Sequence, residues 1–332
     1  MSEDTTQRGG QLVVGVVGPT GTGKSALAVS IAKSFDGEIV SCDALQVYRG
    51  LDIGTGKVSL ETQEEIPHYL LDIVVPDQEF SVADYLEEVV PLVRDLNRRG
   101  KLPIVAGGTG LYMRALRKGL FDGPGRTPEL RSRINRIAER RGTPFVHRML
   151  ERLDSISAER IHPNDLVRLT RALEVTLQSR SAMSEMMLRR RSPLNGFRFV
   201  LIGLAPPRKA LVERIERRVG KMFDAGFVAE VERLLNDYGP EAPAFKAIGY
   251  REVARYLLGE IPRDEAQALT VKATTKYAKR QMTWFRREES VVWFEGWGDD
   301  SEVSRAVCGH LDPLINNQCS TGEETLYAET TP

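Results

Sequence analysis

The feature that most constrains this chain is an apolar run, residues 12–17, followed at once by a glycine-rich segment and a helix-forming run. The segment reads Gly18, Pro19, Thr20, Gly21, Thr22, Gly23, Lys24, Ser25, which matches the P-loop pattern of nucleotide-binding proteins. Its glycines let successive backbone N–H groups point into one concavity, and the helix adds the positive end of its dipole. The pattern therefore predicts a di- or triphosphate site, most typically for ATP, with Lys24 on the phosphates and Ser25 on a bound Mg²⁺.

Charge is distributed unevenly along the 332 residues, although 46 Lys/Arg and 46 Asp/Glu give a formal net charge of zero. Residues 126–191 carry 15 Arg against 8 acids, and residues 266–287 carry six basic side chains and no acid. For any single Arg, a solvated surface position is the more common explanation. The blocks as a whole, lying between acidic ends, indicate recognition of a phosphate backbone.

The cysteine content and the hydropathy exclude several classes of protein. Three cysteines without a Cys/His cluster predict a reducing compartment and no structural zinc. No apolar run approaches the roughly 20 residues of a membrane span, and residues 1–10 lack the apolar core of a signal peptide. We therefore expect a cytoplasmic protein without a membrane segment.

Alternating strand and helix patterns predict an α/β fold with a P-loop parallel-sheet core and helices on both faces. The core is expected at residues 11–125 and 197–312, ending with a basic C-terminal helix around 266–290. A mostly helical, Arg-rich insertion is expected at 126–196. Residues 1–10 and the acidic tail 313–332 are expected to be disordered.

Three further segments are expected at the crevice beyond the carboxyl ends of the parallel strands, beside the P-loop. Asp43 ends the short strand that begins at Gly37, where it could hold Mg²⁺, accept a proton or cap a turn. Thr109 lies in a second glycine-rich loop, 107–112. The helix after residue 207 carries Arg214, Arg217 and Arg218, each either a cation over the crevice or a surface partner of Glu213 or Glu216.

Taken in order, the motifs resemble the tRNA dimethylallyltransferase (IPP transferase) family over about residues 12–300. The matching segments are the P-loop, Asp43 with 46–57, and segments 107–112, 160–165, 168–174, 248–251 and 279–286. The chain departs from the family pattern at Ala44, where the family usually has Ser. The family suggests a monomer.

The resemblance implies transfer of a dimethylallyl group from dimethylallyl diphosphate, with Mg²⁺, to N6 of the adenosine 3′ of the anticodon (position 37). The tRNAs would be those reading codons that begin with U, and the adenine would be flipped out of its stack. Asp43 would then take the proton from the amino group, while Thr109 and Arg218 would bind the diphosphate. The family spacing favours Arg218 over Arg217.

The resemblance also implies contacts with the anticodon stem-loop of tRNA, both in the core and in the insertion. The implied residues are Asp43, Ala44, Leu45, Gln46, Thr109, Arg133, Val167, Arg168, Leu169, Thr170, Arg171, Lys246, Gly249, Tyr250, Arg251, Lys279, Arg280, Gln281, Trp284 and Arg286.

The main alternative is a P-loop small-molecule kinase with Asp43 as its base. A kinase has no need of about 65 residues of Arg-rich helices. The same insertion argues against a prenyltransferase for free adenine nucleotides. A non-catalytic RNA-binding module would leave the P-loop and Asp43 without purpose.

Overall fold

The structure, a computed structural model, describes residues 11–121, 123–189 and 191–316. The disorder predicted for residues 1–10 and 317–332 lies outside these ranges. Residues 313–316 were assigned to the tail, and this was wrong, because they complete the last helix, Ser301–Asn316. Ile315 packs there against the buried core, which the acidic composition of the tail concealed.

Six strands of the described residues form one parallel sheet in the order β3-β2-β4-β1-β5-β6, which confirms the predicted α/β class. The strands are β1 Gln11–Val17, β2 Gly37–Ser41, β3 His68–Tyr69, β4 Leu102–Ala106, β5 Phe197–Leu204 and β6 Val291–Phe294. The helices are α1 Lys24–Ser34, α2 Leu60–Glu65, α3 Val82–Arg98, α4 Gly110–Lys118, α5 Pro128–Arg141, α6 Thr143–Leu153, α7 Ser155–Arg160, α8 Leu166–Ser179, α9 Met183–Leu188, α10 Arg208–Asp224, α11 Phe227–Tyr238, α12 Tyr250–Leu257, α13 Arg263–Phe285 and α14 Ser301–Asn316.

Strand register brings three loops to one edge of the sheet. Val16 of β1 and Ser41 of β2 both lie opposite Ala106 of β4, so the three strands end at the same level. β1 lies between β4 and β5, which makes its carboxyl end the point where the strand order reverses. Ligands bind at such points in open parallel sheets, so the segments after these strands define the candidate site.

Helices cover both faces of the sheet because side chains alternate along each strand. Val14 and Val16 point to the face covered by α1 and α14. On the other face, α3 packs against β1 and β4 and buries Tyr85 and Val89. A capping box between Ser81 and Asp84 starts α3.

The long basic helix ends earlier than predicted, at Phe285 and not at residue 290. The chain turns there because Glu288 is buried and pairs with Arg114. Ser290 then adopts a left-handed backbone conformation, with φ of 70°, immediately before β6. A sequence without Gly or Pro gives no local sign of this turn.

The chain divides into two compact units, residues 118–195 and the remainder. The smaller unit is helical and has its own core, which includes Ile134, Val146, Leu150 and Leu173. This unit begins at residue 118, so residues 118–125 belong to it and not to the sheet core for which they were predicted. No helix in the described ranges has both the length and the apolar character needed to span a bilayer.

Candidate active site

The predicted P-loop connects β1 to α1 and curls around the start of that helix. Gly18, Gly21 and Gly23 have φ of 141°, 82° and 86°, which side chains with a Cβ rarely tolerate. The Lys24 ammonium donates a hydrogen bond to the Pro19 carbonyl oxygen at 2.8 Å, closing the loop on itself. The glycines are therefore required by the backbone path, as the sequence pattern predicts.

The environment of Lys24 favours the uncharged form of its amino group. Burial lowers its pKa to about 8, an effect that the charge of Asp43 opposes and the charge of Arg218 strengthens. A bound anion would compensate the buried ammonium. The geometry therefore suits a ligand that brings negative charge to Lys24.

The pH dependence of anion binding should follow this pKa. Because only the protonated amine attracts an anion, the affinity for inorganic diphosphate, taken relative to that of Lys24→Arg so that the ionisation of diphosphate itself cancels, should be constant below the pKa of about 8. Above it, affinity should fall about tenfold for each pH unit. Calorimetric titration across this range tests the expectation, with Lys24→Arg as control, since arginine stays charged. If Lys24→Arg showed the same dependence of affinity on pH as the wild-type protein, the expectation would be contradicted.

Backbone N–H groups just after β2 orient the side chains of Asp43 and Thr109. Asp43 Oδ1 accepts a hydrogen bond from the Leu45 N–H at 2.9 Å. The Ala44 N–H donates to Thr109 Oγ1 at 3.0 Å, which joins the two loops directly beside Asp43. The two side chains predicted to act together are therefore brought to the same place, although their roles stay predictions.

Gln281 fastens the P-loop to the second glycine loop. Its Oε1 accepts from the Thr20 N–H at 2.8 Å, and its Nε2 donates to the Gly108 carbonyl oxygen at 3.0 Å. A Cβ at Gly108 would come within 2.1 Å of that Nε2, so a larger residue there would displace the Gln281 amide from this bond. The Gln281 side chain is buried and holds the two loops together. It also lines a cavity that contains Asp43, and its predicted contact with RNA stays a prediction.

Helix α10 presents arginines at the edge of the site. The Arg218 guanidinium donates to the Thr55 carbonyl oxygen at 3.3 Å and lies against Gly56, where a Cβ would come within 2.2 Å of it. Burial lowers the pKa of Arg218 below its usual value, and the charge of Asp43 only partly opposes this shift. Arg217 is exposed, and Arg214 pairs with Asp299 at 2.8 Å, not with Glu213 or Glu216.

Two cavities meet at Asp43. The larger, about 650 Å³, is bounded by the P-loop and α10. Its ionisable lining residues are five cations and a single carboxylate, namely Lys24, Arg214, Arg217, Arg218, Lys221 and Asp43. Ser25 and Gln46 also line this cavity. The arrangement favours a small, highly charged anion.

The smaller cavity, about 310 Å³, shares Lys24, Asp43 and Arg218 with the larger one and continues away from the P-loop. Its lining includes the apolar side chains Ile215, Val219, Met222, Phe227 and Ile248. Ala44 and Leu45, which follow Asp43 in the chain, also line it. A ligand with a charged head and an apolar tail would fit the two cavities with Asp43 beside their junction.

A magnesium ion bound by protein side chains alone has no support in the ranges that the structure describes, where no group of three or more His, Cys, Asp or Glu could hold a metal. Ser25 is exposed and lines the larger cavity beside Lys24. Mg²⁺ commonly takes most of its ligands from substrate phosphates and water. The residues present therefore fit Mg²⁺ that is bound together with a diphosphate.

The predicted RNA-contacting residues of the sheet-containing unit differ in exposure. Lys246, Arg251, Lys279, Arg280 and Arg286 are exposed, and Lys246 and Arg280 also line the smaller cavity. Trp284 is partly buried, with Arg114 4.2 Å from its ring centre and its indole beside Gly110.

A direct contact of the Tyr250 side chain with RNA is not compatible with the structure, because that side chain is fully buried. Its hydroxyl donates to Glu230 at 2.6 Å, and Glu230 also accepts from the Ile53 N–H at 2.7 Å. Gly249 is buried too and has φ of 90°. These residues order the loops around the smaller cavity.

In the helical unit, Arg133, Val167 and Arg168 are exposed, as an RNA contact requires. Leu169 and Thr170 are instead buried in the unit's own core, so their side chains are not available to RNA. The apolar positions 166, 169 and 173 have the spacing of a buried helix face, a signal in the sequence that would have shown this for Leu169.

Arg171 also has a structural role. It donates to Glu174 at 2.8 Å, as does Arg131 at 2.9 Å, and the Thr127 N–H donates to the same carboxylate at 2.7 Å. Burial raises the pKa of Glu174, but Arg131 and the other donors outweigh it, and the pKa falls to about 2.

Arg171→Ala should therefore destabilise the protein by about 1–3 kcal/mol, whereas the exposed Arg168→Ala should change stability by less than about 0.5 kcal/mol. Because the pKa of Glu174 is depressed, its stabilisation is complete above its unfolded value of about 4.5 and is lost as pH falls toward about 2. Urea unfolding of both variants at neutral and acidic pH measures these effects. Equal stability of the two variants would contradict the assignment.

Tyr277 was not among the predicted site residues. Tyr277 lines the smaller cavity, and burial followed by the charge of Asp43 raises its pKa to about 12. Tyr277 lies one helical turn before Gln281. Lys221, which lines the larger cavity and was not predicted either, lies one turn after Arg217 and Arg218 on α10. Helical spacing could have found both residues.

Comparisons with known proteins agree with this geometry. The family model described as IPP transferase matches residues 46–288. A relative from Koribacter versatilis named tRNA dimethylallyltransferase is 46% identical over 288 residues, which are 87% of this chain and 94% of the relative. One of the same name from Solibacter usitatus is 45% identical over 305 residues, 91% of this chain and 99% of the relative.

Solved structures show the same fold. The full-length tRNA isopentenylpyrophosphate transferase of Bacillus halodurans matches with a TM-score of 0.70 and 33% identity, over 95% of this chain and 100% of that one. A eukaryotic dimethylallyltransferase acting on tRNA matches with a TM-score of 0.76 and 25% identity, over 96% of this chain and 81% of that one.

Proposed function

This chain belongs to the IPP transferase family, and from that premise we infer that it is an enzyme that transfers a dimethylallyl group to tRNA. We propose dimethylallyl diphosphate as the donor. The acceptor is N6 of the adenosine 3′ of the anticodon, position 37, in tRNAs reading codons that begin with U. The products are N6-(dimethylallyl)adenosine and diphosphate.

The observation that supports this most directly is that Asp43 lines both a cation-lined cavity and a second cavity whose lining is partly apolar. The diphosphate occupies the larger cavity, on the P-loop amides. The dimethylallyl group extends past Asp43 toward Ile215, Val219 and Met222, which keep water from the allylic carbon. A kinase would not need this apolar part of the lining, and the family of the chain does not favour this alternative.

In the reaction, N6 of the adenine attacks the allylic carbon and forms the new C–N bond as the bond from carbon to diphosphate oxygen breaks. The bonding electron pair leaves with the diphosphate. The Asp43 carboxylate accepts a hydrogen bond from the amino group and then takes its proton. Thr109, held beside Asp43 by the Ala44 N–H, would bind the diphosphate as its charge grows.

Charge develops on the departing diphosphate, where the P-loop N–H groups, Lys24 and Arg218 stabilise it. Ser25 would hold Mg²⁺ together with the diphosphate. When bound, the ion would neutralise part of the phosphate charge. Arg218 is already held beside Thr55 and Gly56, so its cation needs little rearrangement.

The acceptor adenine must leave its stack to reach Asp43, because its amino group is otherwise out of reach of the site. The exposed cations of α13, including Lys279 and Arg280, are placed to contact RNA phosphates near the smaller cavity. We propose that the enzyme acts as a monomer in the cytoplasm, where its tRNA substrate is present.

The test is to incubate the protein with Mg²⁺, dimethylallyl diphosphate and unmodified tRNA, and to measure the mass of the anticodon-loop fragments after nuclease digestion. The expected result is a mass gain of one dimethylallyl group on the fragment that contains the adenosine. A tRNA lacking adenosine at that position is the control. Consumption of ATP with unmodified tRNA would instead support the kinase.

A further inference from the structure

The segment that follows β6, residues 296–300, packs directly on the P-loop. The Gly298 N–H donates to the Thr22 carbonyl oxygen at 2.8 Å. A Cβ at Gly298 would come within 2.3 Å of the Gly23 carbonyl oxygen, so only glycine permits this approach. A Cβ at Gly23 would likewise meet Asp299 Oδ1 at 2.7 Å. The segment lies beyond residue 288, where the family match ends.

Two side chains of this segment hold Arg214 of α10. Asp299 Oδ2 accepts a hydrogen bond from Arg214 Nη2 at 2.8 Å. The Arg214 guanidinium carbon also lies 4.5 Å from the centre of the Trp297 ring, within the range of a cation–π contact. The ion pair is only partly exposed, with side-chain accessibilities of 30% for Arg214 and 47% for Asp299. Arg214 is therefore fixed while still lining the larger cavity.

The larger cavity explains why Arg214 needs a partner. Arg214 and Arg218 are one helical turn apart on α10, and burial, together with the charge of Arg214, lowers the pKa of Arg218. With the other cations of the lining, this repulsion would drive Arg214 toward solvent when no anion is bound. Asp299 supplies negative charge from outside the lining and opposes that movement.

We propose that Asp299 is a positioning residue that presets Arg214 to bind the diphosphate at the P-loop. The proposal rests on the function inferred above for the larger cavity. A guanidinium has five N–H donors, and the bond to Asp299 uses one of them. Asp299 thus acts through Arg214 and reduces the ordering that diphosphate binding requires.

The test measures inorganic diphosphate binding by calorimetry for the full-length protein, Asp299→Asn, Arg214→Ala and the double variant. Asp299→Asn should weaken binding about three- to tenfold, and Arg214→Ala should weaken it at least as much. In the Arg214→Ala background, the further change at Asp299 should have no effect. Asp299→Glu should restore part of the affinity. The steady-state KM for dimethylallyl diphosphate should rise in parallel while that for tRNA stays constant.

Asp300→Asn is the matched control, because Asp300 Oδ1 caps α14 through the Glu302 N–H at 2.8 Å and does not contact Arg214. Equal weakening by Asp300→Asn, an additive effect of Asp299→Asn on Arg214→Ala, or tighter binding by Asp299→Asn would each overturn the proposal. Wild-type protein that binds diphosphate but leaves tRNA unmodified would instead overturn the proposed function.

Discussion

Replacing Asp43 by Asn should lower kcat by about 10²–10⁴-fold, the usual contribution of a positioned general base. The amide keeps an oxygen that can accept the Leu45 N–H bond, so the loop should retain its shape. It cannot take a proton from the adenine amino group. The affinity for tRNA should change little, because one partly exposed carboxylate contributes little to binding dominated by phosphate contacts.

The same variant should bind diphosphate more tightly at a pH well below 8, since Asp43 is the single carboxylate among the lining residues of the larger cavity. Its charge also raises the pKa of Lys24, so this pKa should fall from about 8 in the variant, and the loss of affinity with rising pH should begin earlier. Single-turnover transfer rates, tRNA binding and diphosphate calorimetry separate these effects. Asp77→Asn, an exposed carboxylate, is the control. Near-normal turnover in Asp43→Asn would remove Asp43 as the base.

The parts of the site that were predictable from sequence are those in which a local pattern dictates the backbone. The P-loop glycines require left-handed φ values, and they follow an apolar strand. Asp43 and Thr109 could be placed with them because parallel strands deliver their carboxyl ends to one edge. These predictions needed only the order of the elements and no knowledge of distant contacts.

The remaining features depend on contacts between residues far apart in the chain. Nothing near Gln281 indicates that its amide joins Thr20 to Gly108, and nothing near Tyr250 indicates that its hydroxyl meets Glu230. Both residues lie in motifs shared with the family. A residue can occur in such a motif because it binds substrate itself, or because it shapes a loop that binds substrate. The resemblance alone does not distinguish these two reasons.

Arg171 shows the same limit in the helical unit. The excess of positive charge of this unit is visible in the sequence. The ion pairs of Arg131 and Arg171 with the buried Glu174 are visible only in the structure. A variant that removes Arg168 and Arg171 together would mix loss of RNA contact with loss of stability. Arg168→Ala and Arg133→Ala are therefore the better probes of tRNA binding, through the salt dependence of affinity.

Arg218→Ala should lower kcat by about 10²–10³-fold, because a fixed cation beside the departing diphosphate acts mainly in the transition state. Arg217→Ala should cost less than about tenfold, since Arg217 is exposed and its charge is screened by solvent. The two residues are adjacent in sequence and chemically identical, so the pair is its own matched control. Single-turnover rates at saturating dimethylallyl diphosphate measure the difference.

Arg218→Lys should recover only part of the loss, because a lysine keeps the charge without the fork that reaches the Thr55 carbonyl oxygen beside Gly56. A larger effect of Arg217→Ala than of Arg218→Ala would contradict the assignment, and it would mean that α10 turns its exposed face to the diphosphate when substrate binds. If Arg218 acts as proposed, the 54–56 loop is part of the catalytic machinery through its backbone. Glu230, which accepts the Ile53 and Gly54 N–H groups, would then support catalysis without touching substrate.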